Sequence, residues 1–476
     1  MPTKFKPDAP SGRICAKILQ GMRHKSAPMG LAVLSRWSNY RQRVQWRAGL
    51  HRVFHRGPHD DPVVDGLRGM ASLSIVLFHC FFGAMFLLKD FDRISVFAAQ
   101  LPAWLGFLAN TDKAVDVFFM VSAYLLGGAL MREFARKGTI EVRNFYIRRL
   151  FRIYPLFLLG LVVYALGNPG LAADNLIYHL LFIDNFQMKN IIPVGWSLSI
   201  EMQFYLVLPL LMGWLMSMKG QVGLRVLQCL FMLSFVPILA TALWYPVTYE
   251  TPFYLFHPQR VAPELFLNVM YFQTHTRIGP LLLGLIWAWV RHPQDAGLPA
   301  PPTRGIVWVL GGAALALVCA YFPVYQQDSW YYQHFSPWLN LAGQVLHRNL
   351  FCLGVLLLVL AAQSQGAPAR GLGSMSVAIT AALRGFLGWG LWRPFSQVVF
   401  PVYLFHFPMV LIAAILTFQT TDASTIGMIS VPQLLCMFGI AASLSLLLGI
   451  VLHILIEQPM IDSGHALLRD RAQTQR

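Results

Sequence analysis

The chain has 476 residues, 56% of them hydrophobic and only 12% charged, with a mean hydropathy of +0.54. Ordinary soluble domains carry roughly 25% charged residues, so a soluble fold is excluded and an all-α polytopic integral membrane helix bundle is expected. The net charge of +16 comes from 37 Lys and Arg concentrated in the N-terminal tail and at helix ends, where topology and anionic membrane lipid account for it without a nucleic-acid partner.

Apolar segments that can span a bilayer run at about 66–88, 114–131, 153–168, 196–217, 226–244, 278–290, 305–322, 346–363, 395–418 and 431–456, most of them near the roughly 17–25 residues required. Segments 153–168 and 278–290 are short, so each either extends beyond these bounds or is broken. About ten helices put both termini on one side. With both cytoplasmic, about 30 of the Lys and Arg fall inside and about 7 outside, as the positive-inside rule demands. The chain thus divides into a basic cytoplasmic tail (1–60), a membrane domain (61–460) and a cytoplasmic C-terminal tail (461–476).

Residues 1–60 lack the uninterrupted apolar core of a secretory signal, so no cleavage is expected. Trp37, Tyr40 and Val44 recur among Arg36, Arg41, Arg43 and Arg47, which reads either as a basic amphipathic helix on the inner leaflet or as a disordered tail.

The first span opens with DGLRGMASLSIVLFH. Arg68 and His79 are eleven residues apart, close to three helical turns, so they share one face. The separation is roughly 16 Å along the axis, which puts His79 near the middle of a hydrocarbon core roughly 30 Å thick if Arg68 marks its edge. An anchoring arginine and a packed histidine would satisfy the pattern. An ionisable group at that depth nevertheless faces a bundle interior or a wet cavity and is a functional candidate.

In the second span Asp116 lies near the outer end, and Ser122, Ala123, Gly127 and Gly128 are small enough to admit another helix. The next connection carries Arg132, Arg136, Lys137, Arg143, Arg148, Arg149 and Arg152. It reads either as a stop-transfer signal or as a surface on which a polyanion docks. The fourth span brings Glu201, with Gln203, Trp196 and Tyr205, into a depth where a carboxylate has to be paired or protonated. Two loops, 245–275 and 323–345, are rich in aromatics. Trp330, Tyr331, Tyr332 and Trp338 among Gln327, Asp328 and Gln333 would suit stacking on sugar rings, although an interfacial aromatic belt explains them too.

Arg277 stands at the outer end of the sixth span. The loops 291–304 and 364–394, rich in Gly, Pro and Ala, read as flexible connections. His406 in the ninth span lies about eleven residues from its cytoplasmic start, at roughly the depth of His79. His453 and Glu457 sit one turn apart near the cytoplasmic end of the tenth. The six cysteines show no paired spacing, so they read as packing residues, and no metal is expected.

Together DGLRGMASLSIVLFH, AVDVFFMVSAYLL, FYIRRLFRIYPLFLL, WSLSIEMQFYLVLPL, TRIGPLLLG, YLFHFP and IEQPM resemble the membrane acyltransferase family 3, over about 60–460. The resemblance implies an enzyme of the inner or plasma membrane. Such an enzyme moves an acyl group, usually acetyl from cytoplasmic acetyl-CoA, to a hydroxyl of a carbohydrate such as lipopolysaccharide, exopolysaccharide or a peptidoglycan sugar. It maps the family's arginine and histidine onto Arg68 and His79, its acid onto Glu201 and its later histidine onto His406. The chain departs from the pattern at Met202, where a second acid is common, at Ala123, and at Val399 and Phe400. Some members carry an appended extracytoplasmic hydrolase-like domain. This chain ends about twenty residues after its last span, too few for such a domain, so either the bundle acylates its acceptor directly or a separate extracytoplasmic transferase finishes the transfer.

On that reading Arg148, Arg149 and Arg152 with Arg68 hold the phosphates of acetyl-CoA. His79 acts as general base toward the acceptor hydroxyl or orients the thioester. Glu201 or His406 orients His79 or contacts the sugar; Trp196, Tyr205, Arg277 and Trp330 line the acceptor. Arg68 and His79 are expected along one tunnel. The competing readings are a transporter or exporter of a sugar or lipid-linked substrate, which would also need polar midplane residues, and a membrane sensor or scaffold.

Overall fold

The computed structural model describes residues 45–58, 60–88, 93, 96–97, 100, 103–187, 190–218, 221–251, 263–292, 305–324, 329–364 and 372–474. The chain divides into residues 1–49 and 50–476. Of the first unit only the start of a helix over Trp46–Phe54 is described, and the amphipathic pattern around Trp37, Tyr40 and Val44 lies outside the described residues.

The second unit is a helix bundle. Its principal helices are α1 (Pro62–Leu88), α2 (Ala114–Lys137), α3 (Val142–Gly167), α4 (Gly195–Met216), α5 (Val222–Leu233), α6 (Phe235–Trp244), α7 (Thr274–Arg291), α8 (Gly305–Ala320), α9 (Pro337–Gln363), α10 (Leu372–Leu387), α11 (Val399–Phe418) and α12 (Val431–Leu452). Eight helices among the described residues are long and apolar enough to cross a membrane, with α5 and α6 counted as one. No strand occurs among the described residues. The protein is a multi-pass membrane protein.

Both short apolar segments are extended. α3 reaches back to Val142, so Arg143, Arg148, Arg149 and Arg152 belong to its first turns, and α7 begins at Thr274. The segment 364–394, read as a flexible connection, instead holds α10 and a short helix over Trp392–Gln397. Small residues misled that reading. Ala is the strongest helix former, and the glycines that disfavour an isolated helix are tolerated once the segment packs against α1.

α2 is the hub, packed by α1, α4, α7 and α9. It approaches α7 closely because Gly284 leaves room for the Met120 carbonyl and the Ala123 methyl, which a Cβ would meet. The periphery is apolar and outward-facing. Leu166, Trp244 and Val318 are exposed, as expected of side chains presented to lipid tails.

Candidate active site

The DGLRG string builds the start of α1. Asp65, 5% exposed, accepts from Arg393 at 2.7 Å, Arg56 at 3.1 Å and Ser396 at 3.0 Å. A Cβ at Gly66 would collide with the Leu387 carbonyl, and one at Gly69 with that of Trp392. Asp65 and the two glycines therefore seat α1 on the 372–397 segment. Arg68 remains, half-buried, beside a cavity.

Three turns along, His79 meets His406 of α11. His406 Nδ1 lies 2.7 Å from the Tyr403 carbonyl, which can only accept, so Nδ1 carries the hydrogen and the neutral ring presents a lone pair at Nε2. His79 Nδ1 lies 2.9 Å from that Nε2 and 3.0 Å from the Ile75 carbonyl, so its hydrogen is shared between them. The contacts assign both tautomers. His79 Nε2 is left with its lone pair and no hydrogen-bond partner among the described residues. One turn of this helix lacks a backbone bond, because Pro408 has no N–H for the Leu404 carbonyl; Tyr164 donates to that carbonyl instead at 2.9 Å.

His79 lines a cavity of about 330 Å³ whose walls include Phe78, Trp196, Tyr271, Phe272 and Phe407. We call it the aromatic chamber. A second cavity of about 310 Å³ is lined by Arg68, Arg149, Arg152, Glu201 and Tyr205. In this basic chamber none of the three guanidiniums makes a hydrogen bond or an ion pair among the described residues, and Arg149 Nε is buried without a partner.

Arg68 and His79 thus line two adjacent cavities. Tyr403 and Val115 line both chambers and form the wall they share. The Tyr403 hydroxyl lies 2.5 Å from Ser197 Oγ, which donates to the Val194 carbonyl at 2.9 Å, so Tyr403 is the donor of the pair. A stripe on one helix specifies a face; α2 and α11 decide what crosses it.

Beside the aromatic chamber lies a compensated ion cluster. Arg277, 0% exposed, donates to both oxygens of Asp116 at 2.9 and 3.0 Å and to the Tyr271 carbonyl at 2.7 Å. Its guanidinium stacks over the Tyr271 ring at 4.1 Å. Arg348 reaches Asp116 at 2.7 Å and Asp112 at 2.5 Å.

Ahead of α4, Ser199 donates to Asp184 Oδ1, and His179 Nε2, 3.3 Å from Asp184 Oδ2, accepts from the Ile191 backbone N–H at 2.9 Å. Burial pushes the Asp184 carboxyl above the usual carboxylate range, against the pull of His179 and Ser199. The serine is bonded to the acid and not to the imidazole, so the trio pins the loop before α4 and is no nucleophilic triad.

The acyltransferase family 3 model, described as an acyltransferase domain, matches residues 61–453, most of the chain and all of the site just described. The chain belongs to this family. It is similar to the O-acetyltransferase OatA of Staphylococcus aureus strains NCTC 8325 / PS 47 and COL. Each is 29% identical over 297 residues, which cover 57% of this chain and 42% of the relative. The chain thus spans less than half the length of these curated relatives. No solved structure matches it.

Within this family member the motif residues separate into two groups. His79, His406 and Trp196 belong with the aromatic chamber; Arg68, Arg149, Arg152, Glu201 and Tyr205 line the basic one. Of the two candidates for orienting His79, His406 is bonded to it, whereas Glu201 shares its chamber with the arginines. Arg148 is turned to Glu133 at 3.5 Å and lines neither chamber. Arg277 is enclosed by its own partners and also lines neither. Trp330 lies on the surface, stacked on His334 with ring centroids 5.0 Å apart. Gln327 and Asp328 lie outside the described residues. Sequence reasoning missed Tyr403, one turn before His406, and His347, a chamber-lining imidazole about three turns into α9.

Proposed function

We propose that the protein is an O-acyltransferase of the inner or plasma membrane. In this reading it moves acetyl from cytoplasmic acetyl-CoA, bound with its phosphates in the basic chamber, to a hydroxyl of a cell-envelope or exported carbohydrate in the aromatic chamber. The observation that carries the reading is adjacency: three unpaired guanidiniums line a cavity that shares the Tyr403 wall with an imidazole whose Nε2 is free. Guanidinium forks suit phosphate oxygens, and the positive-inside rule puts the cations where acyl-CoA is made. That the OatA relatives are O-acetyltransferases supports oxygen as the acceptor atom and acetyl as the group.

The thioester arrives at the shared wall from the basic side. The acceptor hydroxyl gives its proton to His79 Nε2 as its oxygen attacks the thioester carbon; a C–O bond forms, the C–S bond breaks, and the CoA thiolate takes the proton back from the imidazolium. His406 accepts from His79 Nδ1 throughout and keeps the ring turned toward the chamber. Either the glycan is acylated directly or a separate extracytoplasmic transferase takes the group onward.

The test is transfer of radiolabel from acetyl-CoA to membrane glycan, with protein abundance matched. His79→Ala is expected to lose roughly 10²–10⁴-fold in rate, the range for removing a general base. Undiminished transfer by that variant would refute the assignment. A transporter would release no CoA in the same assay.

A further inference from the structure

One imidazole in the aromatic chamber has no task in this scheme. His347 of α9 is 6% exposed and lines the same cavity as His79. Its Nδ1 lies 2.8 Å from the Gly343 carbonyl, which can only accept, so in the neutral ring Nε2 holds the lone pair. That Nε2 is buried and has no hydrogen-bond partner among the described residues. A buried acceptor without a donor is costly and is rarely left so without a use.

The neighbouring donors are already committed. Arg348 is held by Asp112 and Asp116, and Lys113 donates to the Phe322 carbonyl at 2.5 Å. The Phe322 ring lies 5.0 Å from that of His347 and offers no polar atom. With no donor free among the described residues, the donor we look to is a guest in the chamber. Lys113, Arg277 and Arg348 face only Asp112 and Asp116, so the local charge opposes an ammonium and favours a neutral O–H. Trp196, Tyr271 and Phe272 supply flat apolar walls, and the cavity of about 330 Å³ falls within the roughly 300–1,000 Å³ of small-molecule sites.

We propose that His347 accepts a hydrogen bond from a second, non-reacting hydroxyl of the acceptor, and so fixes the register in which the reacting hydroxyl meets His79. This rests on the reading that the acceptor occupies the aromatic chamber. His347 is a specificity-determining residue in this scheme and touches neither the thioester nor CoA.

The experiment uses membranes containing the full chain and their endogenous glycan, with radiolabelled acetyl-CoA. His347→Leu, which has no acceptor atom, is expected to cut glycan acetylation by at least about tenfold with the KM for acetyl-CoA unchanged. His347→Gln, which can place Oε1 near the lost Nε2, is expected to restore most of it. Transfer unaffected by His347→Leu would overturn the proposal. So would a KM for acetyl-CoA that worsens in step, or a Gln variant no better than Leu, since either marks a merely structural role. Membranes in which the wild-type chain transfers no acetyl group would remove the enzyme reading itself, and this inference with it.

Discussion

The basic chamber and the ion cluster beside the aromatic chamber hold the same kind of residue in opposite conditions. Arg277 and Arg348 are ion-paired with Asp112 and Asp116, whereas Arg68, Arg149 and Arg152 make no hydrogen bond or ion pair among the described residues, although Glu201 lines their cavity with them. Where guanidiniums serve the fold, the fold supplies their carboxylates, because an uncompensated charge in a low-dielectric bundle is costly. Cations left unmatched around a cavity point to an anion that visits. The difference separates a strut from a binding site more reliably than the residue type does.

The sharpest way to break this contrast is to strip one partner from each side. Asp116→Ala strands Arg277 and leaves Arg348 with Asp112 alone, and the expected loss is about 3–5 kcal/mol of stability, read as a fallen Tm or as little folded protein in detergent. Arg149→Met should do the reverse. It removes a buried unpaired charge, so Tm holds or rises, while the KM for acetyl-CoA increases roughly 10–100-fold as one charge-assisted phosphate contact is lost. A Tm loss matching that of Asp116→Ala, or an unmoved KM, would erase the distinction.

The smallest effect concerns cations outside either cavity. Lys137 bonds Glu141 at 2.5 Å across the turn between α2 and α3, and that hydrogen bond holds the Glu141 carboxyl below its ordinary value of about 4.5. The folded form therefore resists protonation. The contribution is present above the ordinary value and is lost as pH falls through the depressed one. Protection factors at residues 138–142, which allow for the intrinsic slowing of exchange in acid, should fall slightly on acidification, with acetyl-CoA binding at neutral pH unchanged in Glu141→Gln. A large exchange response would mean that this turn carries more of the fold than its exposure implies.

Much of the architecture was legible in the residues. Long apolar runs specify helices that cross a bilayer, and Ala123 and Gly127 announce a tight crossing by their size, which Gly284 of α7 meets from the other side. Asp65, Gly66 and Gly69 read as part of a functional string, yet they serve to seat α1. The error at 364–394 came from weighing composition above helix propensity, and the enclosure of Arg277 was invisible because its carboxylate partner, Asp116, lies on α2, far off in sequence.

Chain order alone placed His79 about three turns beyond Arg68 and His406 about eleven residues into its apolar run, since rise per residue is a local property. It also determined which ends of the helices carry positive charge. Only the tertiary structure decided that α1 and α11 are neighbours with ring nitrogens 2.9 Å apart, that Tyr403 divides the interior in two, and that His347 shares a cavity with His79. Depth follows from counting along one backbone, but adjacency depends on packing among helices distant in sequence, which no count along the chain can supply.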